Sequence, residues 1–333
     1  MDGAIAHRGA VTREPAPAAL VGALLGAAGR SGPWEVESVP STGWVNSTTV
    51  IGAGDERLVV RRYRWPFAEP ERFDRRAKEA WLHPRLAAAG VPVPEVLAVA
   101  DAGGDRGALL SWLPGESLGT VAARVPPPEL HGAWYEAGAA LRTAHDVPPP
   151  RPVAGFVTAG GVAAFPEGSF GGFHRDRLST YAGRLAREAP ALGVDARRVD
   201  ALAARAEPVI DATPLVLGHS DSNAWNVLVV PDGDGRWRLS GWLDWEFAWV
   251  GDPAWDHMRM AVQRYAEFGP PADAWWAGYG GRPPEANLAV AVLHFMLWKA
   301  LDHVDGVDSR DAVVALAWLE DLPAHLDRLD ELL

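Results

Sequence analysis

The chain has 333 residues, 48% of them hydrophobic, enough for a substantial core and for two lobes. Its 31 Lys and Arg against 43 Asp and Glu leave a formal charge of -12, which argues against non-specific nucleic-acid binding because phosphate backbones need clustered positive charge. There are no cysteines, so disulfides, thiolate metal sites and a cysteine nucleophile are excluded.

Residues 1–26 carry Asp2 and Glu14 around a short apolar stretch and do not read as a signal peptide. The apolar run from Ala289 to Trp298 includes His294 and ends at Lys299, too short to span a bilayer. A cytoplasmic protein without membrane or nucleic-acid partners is expected, as a monomer or homodimer.

In chain order, residues 15–29 predict a short helix closed by glycine, capping the fold. Residues 34–65 alternate polar and apolar around two glycine-bearing turns, the pattern of antiparallel strands. Residues 72–89 have helical spacing, and Glu95–Ala100 and Gly107–Leu113 read as two further strands across the turn DAGGD. Pro114-Gly115 marks a boundary. Beyond it, Pro127–Ala144, His174–Arg187 and Val199–Ile210 predict helices, with a long Pro- and Gly-rich loop after the first. Leu215–Gly218, Val227–Val230 and Leu239–Leu243 predict short strands, and the chain from about Trp255 is mostly helical.

The chemistry concentrates in residues 215–256. A buried strand ending at Gly218 delivers His219 and Asp221 into a loop. Asn226 follows five residues after Asp221, and a hairpin returns to deliver Asp244. Two carboxylates and a carboxamide at adjacent strand ends suit a hard cation, and a carboxylate left off the metal can face a substrate hydroxyl. Any one of these residues alone could be a turn cap. The joint pattern, HxDx(4)N, then a hairpin, then Asp at a strand end, is far more specific.

This pattern resembles the aminoglycoside phosphotransferase and choline kinase family. The resembling text is His219-Ser220-Asp221, Asn226, Leu243-Asp244-Trp245-Glu246 and Gly251-Asp252-Pro253-Ala254-Trp255-Asp256. The resemblance implies an α+β, bilobal protein-kinase-like fold: a small antiparallel-sheet N-lobe with one helix, and a larger, mainly helical C-lobe. Residues 1–33 would form a helical extension, 34–113 the nucleotide-binding lobe and 114–333 the catalytic and substrate-binding lobe. It also implies Asp221 as the catalytic aspartate, Asn226 and Asp244 as magnesium ligands, and His219 as an organiser of the loop. Asp252 and Asp256 would fix the segment behind the metal, and His145 would be structural.

In the small lobe, Ser41, Thr42, Asn46 and Ser47 look like part of the family's nucleotide-covering loop. Arg61 matches the basic strand residue that meets the phosphates. Strand alternation puts it on the face opposite Arg62 and Arg64 and leaves open which face lines the cleft. Glu79 resembles its helix partner, and Ser111 and Leu113 lie in the stretch like the family's adenine-holding hinge. Two departures stand out: Ser220 replaces the usual glycine, and Asn223-Ala224-Trp225 replaces the usual HPG.

The expected reaction is ATP- or GTP-dependent phosphorylation, with Mg2+, of a hydroxyl on a small molecule, an aminoglycoside or related antibiotic first. The alternatives are a kinase for a primary metabolite and a silent kinase-like binding protein. Asp302, Asp305 and Asp308 would suit a cationic substrate, and Trp275, Trp276, Trp298 and Trp318 a quaternary ammonium. Solvation of helices and filling of a core are the competing readings.

Overall fold

A computed structural model describes residues 14–40, 46–63, 74–261, 273–307 and 310–333. Ser41 and Thr42, Arg64 and Asp308 lie outside the described residues.

The first element is helix α1, Ala18–Ala27, whose Leu20, Val21, Leu24 and Leu25 are buried. Strands β1 (Trp34–Ser38), β2 (Ser47–Ala53) and β3 (Glu56–Tyr63) follow, then helix α2 (Arg75–Ala88), β4 (Val96–Ala102) and β5 (Asp105–Ser111). The strands form one antiparallel sheet in the order β1-β2-β3-β5-β4. Leu58 and Val60 of β3 share an apolar cluster with the four α1 side chains, so α1 covers one face. Each such side chain contributes roughly 1.5–3 kcal/mol of transfer free energy. Gly107 of β5 permits the approach: a Cβ there would stand 3.0 Å from Leu20 Cδ2. Alternation then turns Arg61 and Tyr63 to the opposite face. The Asp74 side chain starts α2 by accepting the Arg76 and Ala77 N–H groups at 3.0 and 3.2 Å.

The larger lobe opens with β6 (Glu116–Ser117) and α3 (Leu118–Ala122), then α4 (His131–Asp146), β7 (Gly155–Thr158), β8 (Gly161–Ala164), α5 (Phe170–Glu188) and α6 (Ala196–Asp211). β9 (Val216–Gly218), β10 (Val227–Pro231), β11 (Trp237–Trp242) and β12 (Trp249–Gly251) carry the central segment. Helices α7 (Met258–Ala261), α8 (Asp273–Tyr279), α9 (Glu285–Val304), α10 (Arg310–Leu319) and α11 (Leu322–Leu332) complete it. Two small sheets, β11-β10-β6 and β8-β7-β12-β9, are separate from the five-stranded one, giving the bilobal α+β architecture.

Several predicted elements change. The helix expected over Pro127–Ala144 is a tight turn at Pro127–Leu130 followed by α4, since the prolines supply no N–H for an α-helical start. The Pro- and Gly-rich loop contains the β7–β8 hairpin, and β6 and β12 were not expected at all. These strands have two to four residues, too few to display alternation. The tryptophans fill the core: Trp242, Trp245, Trp275 and Trp318 are fully buried, and Trp276 nearly so. One apolar cluster joins Leu82, Leu86 and Val91 of the α2 region to Trp134, Trp242, Trp245 and Trp275, so α2 belongs to both lobes.

Helices α4 and α8 meet backbone to backbone. A Cβ on Gly138 would strike the Trp275 carbonyl oxygen, and one on Gly278 the Tyr135 carbonyl oxygen. The helix preference of Ala over Gly, about 0.8–1 kcal/mol, does not offset an overpacking cost of roughly 1–3 kcal/mol or more against backbone that cannot yield. Gly278→Ala is therefore expected to lower the urea midpoint. Gly22→Ala, on the exposed side of α1 with nothing within 4 Å, should raise it, stabilising the fold by up to about 1 kcal/mol. Equal shifts of the same sign in both variants would refute the close-packing account.

Candidate active site

β9 ends at Gly218 and releases the chain into residues 219–226. The Asp256 carboxylate fixes the start of this loop by accepting the His219 and Ser220 N–H groups, each at 2.6 Å. Asp256 is in turn held by His145 Nε2 at 3.0 Å from the end of α4. Burial disfavours the Asp256 charge, but its bonds to His145 and to the His219 backbone outweigh that and hold its pKa below the ordinary range. His219 is fully buried. Its Nε2–H donates to the Leu243 carbonyl at 2.8 Å, and its Nδ1 accepts the Asp221 N–H at 3.2 Å. Both ring nitrogens are thus engaged in bracing the loop.

Ser220 has φ 68, in the left-handed region where glycine is favoured, so the departure from glycine carries backbone strain. Its hydroxyl donates to the Phe247 carbonyl at 2.8 Å, a bond glycine could not make. Asn223 braces the far side. Its Nδ2 donates to the Asp221 carbonyl at 2.9 Å, and its Oδ1 accepts the Trp225 N–H at 2.9 Å. Trp225 packs on α3, where a Cβ on Gly119 would come within 2.7 Å of its ring.

The Asp221 carboxylate emerges from this frame. Asn226 Nδ2 donates to its Oδ2 at 3.1 Å, and Arg259 Nη2 lies 3.0 Å from its Oδ1. The Asn226 backbone carbonyl accepts the Leu243 N–H at 2.7 Å, which brings Asn226 beside the end of β11 and hence near Asp244. Asp244 has φ 70 and a carboxylate about 29% exposed.

From the small lobe, Arg61 reaches this point. It pairs with Glu79 at 3.1 Å and with Asp244. Arg62 pairs instead with Asp105, so β3 turns Arg61, not Arg62, to the cleft. Tyr63 donates its hydroxyl to Glu79. Burial works against the Arg61 charge, but Asp244, Glu79 and Glu246 outweigh it and hold its pKa well above the ordinary range.

A group that sequence reasoning passed over sits at the centre. Glu246 is almost fully buried. Its Oε2 accepts from Asn46 Nδ2 at 2.7 Å and lies 3.3 Å from Arg75 and 3.5 Å from Arg61. Lys78 donates to the Glu246 carbonyl at 2.7 Å. Glu246 therefore joins Asn46 ahead of β2, Arg61 of the sheet and α2 to the segment that carries Asp244. Its signal in the sequence was its place two residues after Asp244; its partners, up to 200 residues away, left none.

Among the other expected residues, Asn46 and Ser47 are buried at the start of β2, with Asn46 on Glu246. Asn46 Oδ1 and Ser47 Oγ are buried without a hydrogen-bond partner among the described residues. Ser111 gives its N–H to the Glu95 carbonyl at 2.9 Å and accepts the Glu95 N–H on Oγ at 2.8 Å. Leu113 lies beyond the strand and packs on Gly241. The acidic residues proposed for a cationic substrate are occupied by the chain's own cations: Asp302 by Lys299 at 2.7 Å, and Asp305 by Arg184 at 2.8 Å. Lys299 also lies over the Trp298 ring at 3.6 Å.

The model of the phosphotransferase enzyme family matches residues 37–290. Comparison with curated protein sequences gives no match. Among solved structures, a candidate fructosamine-3-kinase from Haemophilus somnus 129PT is similar with a TM-score of 0.60 and 12% identity, over 91% of this chain and 97% of that one. A GDP complex of a mutant aminoglycoside 2′-phosphotransferase IIIa gives 0.61 and 16% identity, over 87% and 92%. A microcompartment-associated aminopropanol kinase gives 0.52 and 16%, over 90% and 95%.

The buried Glu246 has a consequence for pH. Burial, reinforced by the like charges of Asp244 and Glu79, pushes its pKa from 4.5 up to about 7 despite Arg61 and Arg75. An acid whose folded pKa is raised contributes stability that is complete below its unfolded pKa and is lost as pH rises through the folded value. Glu246→Gln should therefore flatten the fall in melting temperature between about pH 4.5 and 7 relative to the parent chain. Parallel melting curves of the two proteins across that window would contradict it.

Proposed function

The chain belongs to the phosphotransferase enzyme family, and from that premise we propose that it transfers the γ-phosphoryl group of ATP or GTP onto a hydroxyl of a small molecule, with Asp221 facing the acceptor. The observation that carries this reading is the convergence of Arg61, Glu79 and Asp244 from three elements of two lobes, beside an Asp221 bonded to Asn226. A binding protein has no need of this set.

The donor chemistry fits magnesium. Asn226 spends its Nδ2 on Asp221, which directs its oxygen elsewhere, and Asp244 presents a partly exposed carboxylate. Among the described residues no three His, Cys, Asp or Glu side chains form a metal cluster, so Asn226 and Asp244 would hold the ion together with phosphate and water, the usual arrangement for this cation. When bound, magnesium supplies positive charge to the phosphate oxygens. Arg61 holds the phosphates from the sheet side, and Glu79 orients Arg61. Asn46 Oδ1 and Ser47 Oγ, buried without a hydrogen-bond partner among the described residues, support a polar ligand beside them. Leu113 offers backbone groups to the base, whereas the Ser111 N–H and hydroxyl oxygen are engaged with Glu95.

In the transfer, the acceptor oxygen forms a bond to the γ-phosphorus while the bond from that phosphorus to the bridging oxygen breaks. The acceptor proton passes to Asp221, and the nucleoside diphosphate leaves. His219 does not serve as the base, because its ring is spent on Leu243 and Asp221 backbone.

For the acceptor, an amino sugar is the first class to test, supported by the net charge of -12. Asp302 of α9 and Asp305 just after it are each paired with a cation of the chain, which weighs against them as its binding groups. A quaternary-ammonium cage from Trp275, Trp276 or Trp318 is unsupported, because all three are core residues.

Asp221→Asn is expected to keep nucleotide binding and to lose roughly 10²–10⁴-fold in single-turnover transfer, the usual contribution of a general base. His219→Gln should instead lower the melting temperature. A well-folded, inactive His219→Gln beside a near-normal Asp221→Asn would exchange the two roles. Asp244→Ala combined with Asn226→Ala should abolish the magnesium dependence of nucleotide affinity in calorimetry. Unchanged affinity would remove both from the metal site.

A further inference from the structure

The loop that carries Asp221, residues 219–226, contains neither lysine nor arginine. The transferred phosphoryl group spreads negative charge over three oxygens as it passes, and catalysis of the step rests on positioning and electrostatic stabilisation. Arg61 stands on the donor side, paired with Asp244 and Glu79. On the acceptor side, among the described residues, α7 brings a positive charge to Asp221. Arg259 places Nη2 3.0 Å from Asp221 Oδ1, reached from 38 residues along the chain. Its guanidinium lies over the Phe295 ring at 4.8 Å, which holds it in place, and its side chain is about 11% exposed.

We propose that Arg259 is a catalytic residue of the reaction proposed above: its guanidinium bridges Asp221 and the phosphoryl group in flight, supplying in cis the cation that the catalytic loop lacks. The proposal rests on the phosphotransfer reading. The geometry meets its demands. A hydroxyl accepted by Asp221 attacks a phosphorus about 3–3.5 Å away, and a guanidinium docked on that carboxylate has a planar fork of donors able to span carboxylate and phosphoryl oxygens together. A lysine would offer a point charge without the fork. Because Phe295 fixes the guanidinium before substrate binds, little reorganisation is needed when charge develops.

A merely structural Arg259 would hold Asp221 in place and affect every ligand alike. A catalytic one discriminates the transition state. The experiment compares the full-length chain with Arg259→Met and Arg259→Lys by calorimetry. The probes are the magnesium complex of a non-hydrolysable triphosphate and magnesium-ADP with aluminium fluoride, a mimic of the phosphoryl group in flight. Arg259→Met should bind the triphosphate analogue as the parent does and lose roughly 10²–10³-fold for the fluoride complex, the scale of one lost transition-state donor. Arg259→Lys should recover part of that loss. If Arg259→Met fails to fold, Arg259→Gln, which keeps a donor toward Asp221, is expected to show the same split. Equal affinities of variant and parent for the fluoride complex, or an equal loss for both probes, would overturn the assignment. So would a parent that binds the fluoride complex no more tightly than ADP. A parent that binds neither magnesium-nucleotide overturns the phosphotransfer reading itself, and is distinguishable because it precedes any comparison of variants.

Discussion

Arg61 carries a full positive charge into the join between the lobes, where little water reaches it, and that charge must be met by carboxylates. Glu79, Asp244 and Glu246 meet it. Each comes from a different place: helix α2, the end of β11, and the turn beyond Asp244. The electrostatic requirement therefore sets the distance between the sheet, the helix and the central hairpin. Removing one partner would leave uncompensated charge in a buried setting, costing several kcal/mol, roughly 3–5 for a broken buried pair.

The carboxylates in turn need support. Tyr63 bonds Glu79, and Asn46, Arg75 and Arg61 surround Glu246. Lys78 ties α2 to the backbone of the same turn. Below this polar layer an apolar one does the same task, since Leu82 and Leu86 of α2 share a core with Trp242 and Trp245. The α2 helix is thus bonded to the β10–β11 hairpin and the turn after it by both charge and burial. The loop bearing Asp221 has a separate frame. Asp256 and His219 bind its backbone, and His145 and Tyr279 lie behind them. The Asp221 carboxylate is thus placed by buried neighbours that brace its loop, which is how a site holds its geometry on a loop.

Much of this was legible in the residues, and the failures have physical causes. Asp221, Asn226 and Asp244 announce themselves because their spacing is local: a loop, a hairpin and a strand end lie within one short stretch. The Arg61–Glu79 pair came from family register, whereas alternation alone left Arg61 and Arg62 undecided. What settled the face was α1, whose Leu20 and Leu24 claim Leu58 and Val60 and so send Arg61 the other way. The acidic residues of α9 looked like a binding surface in the sequence. Lys299 and Arg184 neutralise two of them, and Arg184 is 121 residues away from its partner. Strands of two to four residues, such as β6 and β12, were invisible because their pairing partners, not their own pattern, make them strands.

By itself the sequence determined the bilobal α+β architecture, through the change from alternating strands to helical periodicity near Pro114, and its local spacing singled out Asp221, Asn226 and Asp244 as candidates. Only the tertiary structure decided which charges belong together. Glu246 with Asn46 and Arg75, Asp256 with His145, and Arg259 with Asp221 join residues 38 to 200 positions apart. The reason is that periodicity reports which face of an element is apolar, while a buried charge selects its partner by distance in space, and nothing in one chain's local pattern encodes that distance.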